Sequence, residues 1–203
     1  MTGPGTRMSD TQSKVLFPPP GPHNARRVEQ AVKRAEVIFD ERNLRFTKLR
    51  QQVFEEIVAA HGSVGAYEIL GRIAERGTRL APISVYRALD ALLEAGVIHR
   101  LESKNAFFAC RRLHSDDFVT GRRPLFLSCE KCGAVAEVDS EGVFDIVERV
   151  AKAAQFKPRV KFVEVTGTCP RCAESEADRA ASDATAAMSK PAAKAGGAGK
   201  SRL

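Results

Sequence analysis

The fold is decided by residues 82–110, which read PISVYRALDALLEAGVIHRLESKNAFFAC. Pro82 suits the first turn of a helix, because its missing N–H would have no partner there in any case. Apolar residues then recur at helical spacing until Gly96, which is a typical helix stop. Two short apolar runs, 97–101 and 106–109, follow and are separated by polar turn residues. This pattern predicts a helix followed by a two-stranded hairpin.

Three further helices are predicted before this segment. The first is marked by apolar positions from Val28 to Phe39, the second begins after Thr47 and ends at Gly62, and the third covers Ala66–Arg76. Three helices followed by a strand pair are the order of a winged helix-turn-helix, here with an additional helix in front. From the pattern alone, an unspecific small helical domain stays open as the alternative.

The pattern changes after the hairpin. Strands are predicted at Phe126–Ser128, Val135–Val138 and Val160–Val165, and the spacing of Val143, Ile146, Val147 and Val150 predicts an amphipathic helix. The expected fold class is therefore α+β. An N-terminal winged helix-turn-helix is followed by a small α/β domain.

Four parts are expected along the chain. Residues 1–27 are rich in proline and glycine, and residues 173–203 in alanine, lysine and glycine, so both are predicted to be disordered. The body then comprises a winged-helix domain, 28–110, and an α/β domain, 111–172. The formal net charge is +7, of which the two predicted tails carry +3 and +1. Charge alone therefore gives weak support for a nucleic-acid partner.

No apolar run approaches the length needed to span a bilayer. The N-terminal residues 1–22 lack the apolar core of a secretory signal. We therefore expect a cytoplasmic protein with no membrane partner. In a reducing compartment, cysteines are more often metal ligands or reactive thiols than disulfides.

Four of the five cysteines form two Cys-x-x-Cys pairs, Cys129 with Cys132 and Cys169 with Cys172. Each spacing lets two thiolates converge on one ion, and two pairs complete a tetrahedral shell around zinc. Disulfides or redox pairs are the alternatives, but two matched pairs are hard to explain that way. Four sulfurs leave no position for water, so we expect a structural zinc that supports folding. Gly133 supplies the backbone freedom that such a turn needs.

The fifth cysteine, Cys110, ends the predicted hairpin, and His99 begins it. Strand pairing can bring the two together. His114 follows four residues later, and Glu137 lies just after the first cysteine pair. Imidazole, thiolate and carboxylate ligands form a mixed shell that suits zinc. A buried structural thiol and an ordinary core or surface histidine stay open as alternatives.

Residues 82–90, 99–110 and 129–137 resemble the zinc-uptake branch of the ferric-uptake-regulator superfamily, and the resemblance extends from about residue 30 to 172. It implies an N-terminal DNA-binding domain, a C-terminal dimerisation domain, and a structural zinc at the four paired cysteines. It also implies a regulatory zinc between the domains, at His99, Cys110 and Glu137. Two zinc ions per protomer are therefore expected.

One departure from the superfamily concerns the segment before the first cysteine pair. Iron- and peroxide-sensing members usually have a histidine-rich segment there, whereas residues 121–128 read GRRPLFLS. This argues against iron or peroxide sensing, and it removes the histidine that many zinc-uptake members place nearby. By elimination, His114 is assigned as the fourth ligand of the regulatory zinc, with Asp116 and Asp117 as alternatives.

Six side chains are predicted to contact DNA. On the helix that begins at Pro82, Arg87 suits a bidentate contact with guanine, Tyr86 a thymine methyl or a phosphate, and Ser84 a phosphate. Tyr67 matches a DNA-contacting position of the superfamily. The two remaining cations would contact the DNA backbone, although solvated helix residues are the alternative for them. The full set is Tyr67, Ser84, Tyr86, Arg87, Arg45 and Lys48.

The resemblance thus implies a zinc-responsive repressor of zinc-uptake genes, with zinc as co-repressor. It would bind double-stranded, palindromic operator DNA as a homodimer, and would be neither an enzyme nor a binder of small organic substrates. Two alternatives stay open: an iron- or manganese-sensing regulator of the same superfamily, and a zinc-scaffolded interaction protein without DNA binding. A metal-dependent hydrolase with Glu137 as its base would need an open zinc position and a substrate pocket, which the sequence does not indicate.

Overall fold

The computed structural model describes residue 17 and residues 25–110, 123–139, 141–159 and 162–176. Within these ranges, no helix is both long and apolar enough to cross a membrane. The helices are α1 (Ala25–Glu41), α2 (Lys48–Ala59), α3 (Ala66–Glu75), α4 (Pro82–Glu94) and α5 (Glu141–Ala153). The strands are β1 (Val64–Gly65), β2 (Ile98–Leu101), β3 (Ala106–Ala109), β4 (Pro124–Cys129), β5 (Val135–Asp139) and β6 (Val163–Gly167).

The predicted helices and hairpin of the N-terminal region are present. Helix α2 begins where expected, because the Thr47 side chain accepts a hydrogen bond from the Arg50 N–H and caps the first turn. Helix α4 begins at Pro82 and ends before Gly96, whose φ of +67° is easily adopted by glycine. Strands β2 and β3 pair in antiparallel fashion, with β1 on the other side of β3. The two-residue strand β1 was not predicted, since it is too short to show a periodic pattern.

The largest core lies between helices α1–α4 and the hairpin. The predicted apolar stripe of α4 is buried, with Leu89 at 1% and Leu92 at 0% exposure. Phe39 from α1 and Phe54 from α2 are fully buried beside it. Burial of these large side chains fixes α4 against the rest of the helical region. It leaves the opposite face of α4 toward solvent.

The second region is a three-stranded sheet of order β5-β4-β6 with α5. Strand β4 is antiparallel to β5 and parallel to β6, and the parallel pair needs a crossover such as α5. The predicted strand Val160–Val165 corresponds to β6, which runs from Val163 to Gly167; residues 160 and 161 are outside the described ranges. A smaller core joins this sheet to the hairpin. It consists of Leu101, Phe108, Phe126 and Val135, with Phe162 packed against it.

Residues 169–176, the last part of the chain that is described, belong to a unit separate from the residues before them. A short helical segment begins there at Pro170, and the Ala173 N–H donates to the Cys169 carbonyl at 3.0 Å. Residues 25–27 and 173–176 are helical, although the predicted disordered tails include them. Most of both tails lies outside the described residues.

Candidate metal centres and nucleic-acid interface

Four cysteines form the first candidate metal centre. The ligand atoms of Cys129, Cys132, Cys169 and Cys172 all lie within 4.8 Å of one another. Two sulfurs on one tetrahedral zinc, each about 2.3 Å from the ion, would be about 3.8 Å apart. Cys129 and Cys169 are each only 1% exposed. This donor set and spacing fit a single zinc ion in a water-poor environment, as the two Cys-x-x-Cys pairs predict.

A tight turn after β4 positions the first pair of thiols. The Cys129 N–H donates to the Ala134 carbonyl at 2.9 Å, and the Gly133 N–H donates to the Cys129 carbonyl at 3.0 Å. Gly133 has a φ of +71°, in the left-handed region that favours glycine. Gly133 therefore adopts a conformation that requires the backbone freedom predicted for it.

A second cluster consists of His99, Cys110 and Glu137, whose ligand atoms also lie within 4.8 Å of one another. His99 Nε2 is 3.8 Å from Glu137 Oε1, and Cys110 Sγ is 3.8 Å from Glu137 Oε2. The predicted convergence of the histidine and the cysteine through hairpin pairing is therefore observed. Glu137 completes the group from the second sheet.

The strands determine which way these three side chains face. His99 lies opposite Phe108 in the β2–β3 pair, and Glu137 lies opposite Phe126 in the β4–β5 pair. The His99 ring contacts both phenylalanines, with ring centroids 5.5 Å from Phe108 and 4.9 Å from Phe126, and the two phenylalanine rings are themselves 5.0 Å apart. Cys110 is held at the end of the hairpin by its N–H, which donates to the Val97 carbonyl at 3.0 Å. The cluster therefore joins the hairpin to β5.

The electrostatics of His99 suit a metal ligand. Its Nε2 atom is buried and has no hydrogen-bond partner among the described residues. Burial lowers the pKa of His99 to about 4, so the ring is neutral at neutral pH and retains a lone pair. A neutral imidazole is the form that binds metal ions. The Glu137 side chain is only 9% exposed and supplies negative charge beside it.

The predicted fourth ligand of this cluster, His114, lies outside the described residues, as do its alternatives Asp116 and Asp117. The three described ligands fit a zinc site because a histidine, a cysteine and a carboxylate are all established zinc donors.

Two contacts fasten the turn of the hairpin to the second region, and sequence reasoning missed both. The Glu164 carboxylate on β6 accepts hydrogen bonds from the N–H groups of Glu102 at 2.6 Å and Ser103 at 3.3 Å. The Lys104 ammonium donates to Ser128 Oγ at 3.0 Å and to the Cys129 carbonyl at 3.4 Å. We call Glu164 and Lys104 the hairpin latch. No local signal predicts it, because partners are up to 62 residues apart.

The predicted DNA-contacting residues differ in exposure. Tyr67 is 72% exposed, and Arg87, Arg45 and Lys48 are also exposed. Ser84 and Tyr86 are half-buried, and Tyr86 packs against the helical core. The exposed members are therefore accessible to a ligand, whereas Tyr86 also has a packing role.

Ile83, in the first turn of α4, was not predicted to contact DNA but is 60% exposed. A large apolar side chain outside the buried stripe of a helix was the available signal. Such a side chain suits contact with the methyl group of thymine. Ile83 and Arg87 are four residues apart and lie on the same face of the helix.

Comparison with known proteins places this architecture among known regulators. Residues 41–166 match the model of the ferric uptake regulator family. The chain is 37% identical over 151 residues to the zinc uptake regulation protein of Escherichia coli, covering 74% of this chain and 86% of that protein.

Two solved structures have a similar fold. A zinc uptake regulator complexed with zinc and DNA has 34% identity and a TM-score of 0.65, over 74% of this chain and 97% of that one. Holo XcZur has 38% identity and a TM-score of 0.61, over 71% of this chain and 98% of that one. The protein described here belongs to the ferric uptake regulator family.

Proposed function

We propose that this protein is a zinc-responsive repressor of zinc-uptake genes that binds double-stranded operator DNA in the cytoplasm. The single observation that carries the proposal is the cluster of His99, Cys110 and Glu137, which connects the hairpin of the winged helix to the second sheet. Family membership and the similarity to regulators named for zinc uptake support the same function.

The four-cysteine cluster is the proposed structural zinc site. Its four sulfurs fill a tetrahedral shell, so a bound ion has no position left for a water molecule or a substrate. Metal binding at such a site contributes directly to the free energy of folding. We therefore assign this site a constant role in holding the second region together.

The mixed cluster is the proposed regulatory zinc site. His99 and Cys110 come from the hairpin and Glu137 from β5, with His114 as the proposed fourth ligand. Each protomer would then bind two zinc ions, one at each centre. A bound zinc ion would link donors from the two regions. The aromatic contacts of His99 orient its ring for this role.

The proposed switch depends on the position of the hairpin next to α4, the proposed recognition helix. Helix α4 ends at Glu94, and β2 begins four residues later at Ile98. A hairpin fixed to the second sheet therefore also restricts the orientation of α4. Zinc and operator DNA must strengthen each other's binding by the same coupling free energy, about 1–3 kcal/mol in typical cases. Zinc depletion would release the DNA.

DNA recognition is assigned to α4 and its neighbourhood. Arg87 would form a bidentate contact with guanine, and Ile83 would contact a thymine methyl group. Ser84 and Tyr86 are proposed to contact phosphate or base edges from the same helix. Tyr67 on α3, Lys48 at the start of α2 and Arg45 in the segment before α2 would also contact the DNA. The two cations would supply salt-dependent affinity.

We propose a homodimer formed through the second region, here residues 111–172. Ile146 and Val150 are 51% and 64% exposed on one face of α5, and Phe156, which follows the helix, is 66% exposed. Val165 on the edge strand β6 is 47% exposed. A contiguous exposed apolar patch marks an interaction surface, and we propose that these side chains contribute to one. A two-fold dimer would present two α4 helices to a palindromic operator.

Other functions account for fewer of these observations. Iron or manganese sensing by the same fold is the nearest alternative, but the thiolate of Cys110 favours zinc over the harder ions. A zinc-scaffolded interaction protein without DNA binding would not need the exposed Arg87 on α4 or the exposed Tyr67 on α3. We assign no enzymatic activity, because the family consists of transcription regulators and both centres are proposed to be filled by protein ligands.

Fluorescence anisotropy of a labelled zinc-uptake promoter across buffered free zinc tests the proposal. We expect DNA binding to appear over a narrow range of low free zinc, and not with iron or manganese. A scrambled duplex of equal length is the control for nonspecific binding. Equal binding without exchangeable zinc, or binding induced by iron, would overturn the zinc-sensing assignment.

A further inference from the structure

A cavity of about 220 Å³ lies between α1, the end of α2, the end of β3 and the start of β5. Its polar lining consists of two arginines, one histidine and one cysteine, and no carboxylate lines it among the described residues. The polar residues are Arg27, Arg34, His61 and Cys110. The charged side chains among its described lining residues are therefore both cationic, and neither belongs to the proposed DNA-contacting set.

The two arginines come from the same face of α1. Arg27 and Arg34 are seven residues apart, which is close to two helical turns, so their side chains leave the helix in nearly the same direction. Both line the cavity. Guanidinium groups remain charged at every physiological pH and have donors arranged to bind oxyanions through two hydrogen bonds.

His61 provides the second observation. Both of its ring nitrogens are buried and have no hydrogen-bond partner among the described residues. The unpartnered nitrogen of His99 is explained by the mixed metal cluster, but His61 does not belong to that cluster. A buried polar group without a partner destabilises the protein unless a ligand or water satisfies it. His61 lines the cavity together with the two arginines.

The backbone beside His61 is fixed by a close contact with the first cysteine turn. A Cβ atom at Gly62 would lie 2.0 Å from the Gly133 carbonyl oxygen, so only glycine fits there. The Ser63 N–H donates to the same carbonyl at 3.2 Å. The imidazole is thus attached to a segment that cannot withdraw easily from the cavity.

We propose that this cavity binds a small oxyanion with two negative charges, such as phosphate or a short dicarboxylate, through Arg27, Arg34 and His61. The guanidinium groups of Arg27 and Arg34 favour an anion on their side of the cavity, whereas Cys110, on the other side, belongs to the mixed metal centre. The imidazole N–H then donates to the anion. The cavity holds the volume of roughly seven water molecules, which is enough for such a ligand.

Histidine-selective isotope labelling of the full-length, zinc-loaded protein allows a direct test, because the chain has only four histidines. Inorganic phosphate is titrated at constant ionic strength, with chloride as the replaced anion, and NMR follows the His61 signal. The His61→Asn variant identifies that signal. A parallel titration with malonate distinguishes a preference for phosphate from a preference for dicarboxylates. We expect a saturable shift of His61 in the millimolar range with at least one of the two.

Two matched variants test the site itself. Arg34 is exposed, so Arg34→Gln should fold normally, and we expect it to weaken anion binding about tenfold through loss of a charge-assisted hydrogen bond. Arg26→Gln removes the same charge from the same helix outside the cavity lining and should leave the affinity nearly unchanged. The absence of a saturable His61 shift with both anions, or equal weakening by the two variants, would overturn the proposal.

Discussion

The two candidate metal centres differ in their ligands, their burial and the elements that they connect. The four-cysteine centre has one kind of donor, with two of its thiols almost fully buried. The mixed centre has three different donors, all partly exposed, and it connects the hairpin to the second sheet. A uniform, closed centre suits permanent binding, whereas a mixed centre between two regions suits a metal that exchanges.

The two centres are also expected to contribute to different free energies, the structural centre to folding and the regulatory centre to DNA binding. A structural zinc site of four thiolates contributes about 10–16 kcal/mol, whereas the stability of a whole domain is only about 5–15 kcal/mol. Loss of the structural zinc should therefore unfold the second region. The coupling free energy between a regulatory ligand and DNA is typically about 1–3 kcal/mol, so loss of the regulatory zinc should change the affinity for DNA rather than the fold.

The largest effect is expected for Cys132→Ser. Removing one of four thiolates weakens the structural site enough that the folding free energy of the second region no longer suffices. We expect loss of soluble dimer and of the cooperative thermal transition, measured by size-exclusion chromatography and circular dichroism. A stable, dimeric Cys132→Ser protein would contradict the structural role.

The same chemical change in the other centre, Cys110→Ser, is the matched comparison. We expect this variant to keep the fold and the dimer but to lose zinc-dependent DNA binding, measured by anisotropy at fixed free zinc. Glu130→Gln, an exposed carboxylate in the first cysteine turn, serves as a further control and should behave like the parent. A Cys110→Ser protein that still binds its operator at normal zinc would refute the regulatory assignment.

Arg87→Ala separates DNA contact from metal binding, because this residue belongs to neither centre. We expect operator binding to weaken by about 1–3 kcal/mol, which corresponds to roughly 5–150-fold in the dissociation constant. Zinc stoichiometry should stay the same. Arg159→Ala removes the same charge from an exposed position in the second region and should have little effect. Similar weakening by the two variants would indicate nonspecific electrostatics.

The smallest effect is expected for the hairpin latch. Glu164→Gln weakens two exposed hydrogen bonds to the hairpin turn, so we expect the zinc–DNA coupling to fall by about 1 kcal/mol, or roughly fivefold. The measurement compares DNA affinity with and without zinc. Glu148→Gln weakens a pair of similar length, 2.6 Å to Arg123, away from the hairpin, and is the control. If the coupling between zinc and DNA binding is unchanged in Glu164→Gln, the hairpin latch has no part in the switch.

Much of the fold follows from local patterns in the sequence. The buried stripe of α4, its start at Pro82 and its end before Gly96 are encoded within 15 residues. The two cysteine pairs are equally local, because the spacing within each pair already determines how two thiols can meet. Hairpin pairing brought His99 and Cys110 together as predicted, because both lie close to the same turn.

Contacts between distant parts of the chain could not be predicted. Glu164 is recognised as a partner of the hairpin turn only when β6 has been placed beside β4. The sequence marks Gly62 only as a helix end, and the need for glycine at this position arises from the approach of Gly133. The half-buried position of Tyr86 also depends on packing between helices. Local periodicity contains no information on these approaches.

Stepwise removal of zinc tests the division of roles between the two centres most directly. The zinc-loaded protein bound to labelled operator DNA is titrated with a chelator while released zinc, anisotropy and far-ultraviolet circular dichroism are recorded together. We predict that the first equivalent leaves with loss of DNA binding and unchanged circular dichroism, and that the second leaves only as the second region unfolds. Loss of fold with the first equivalent, or DNA binding that persists after its removal, would contradict the account.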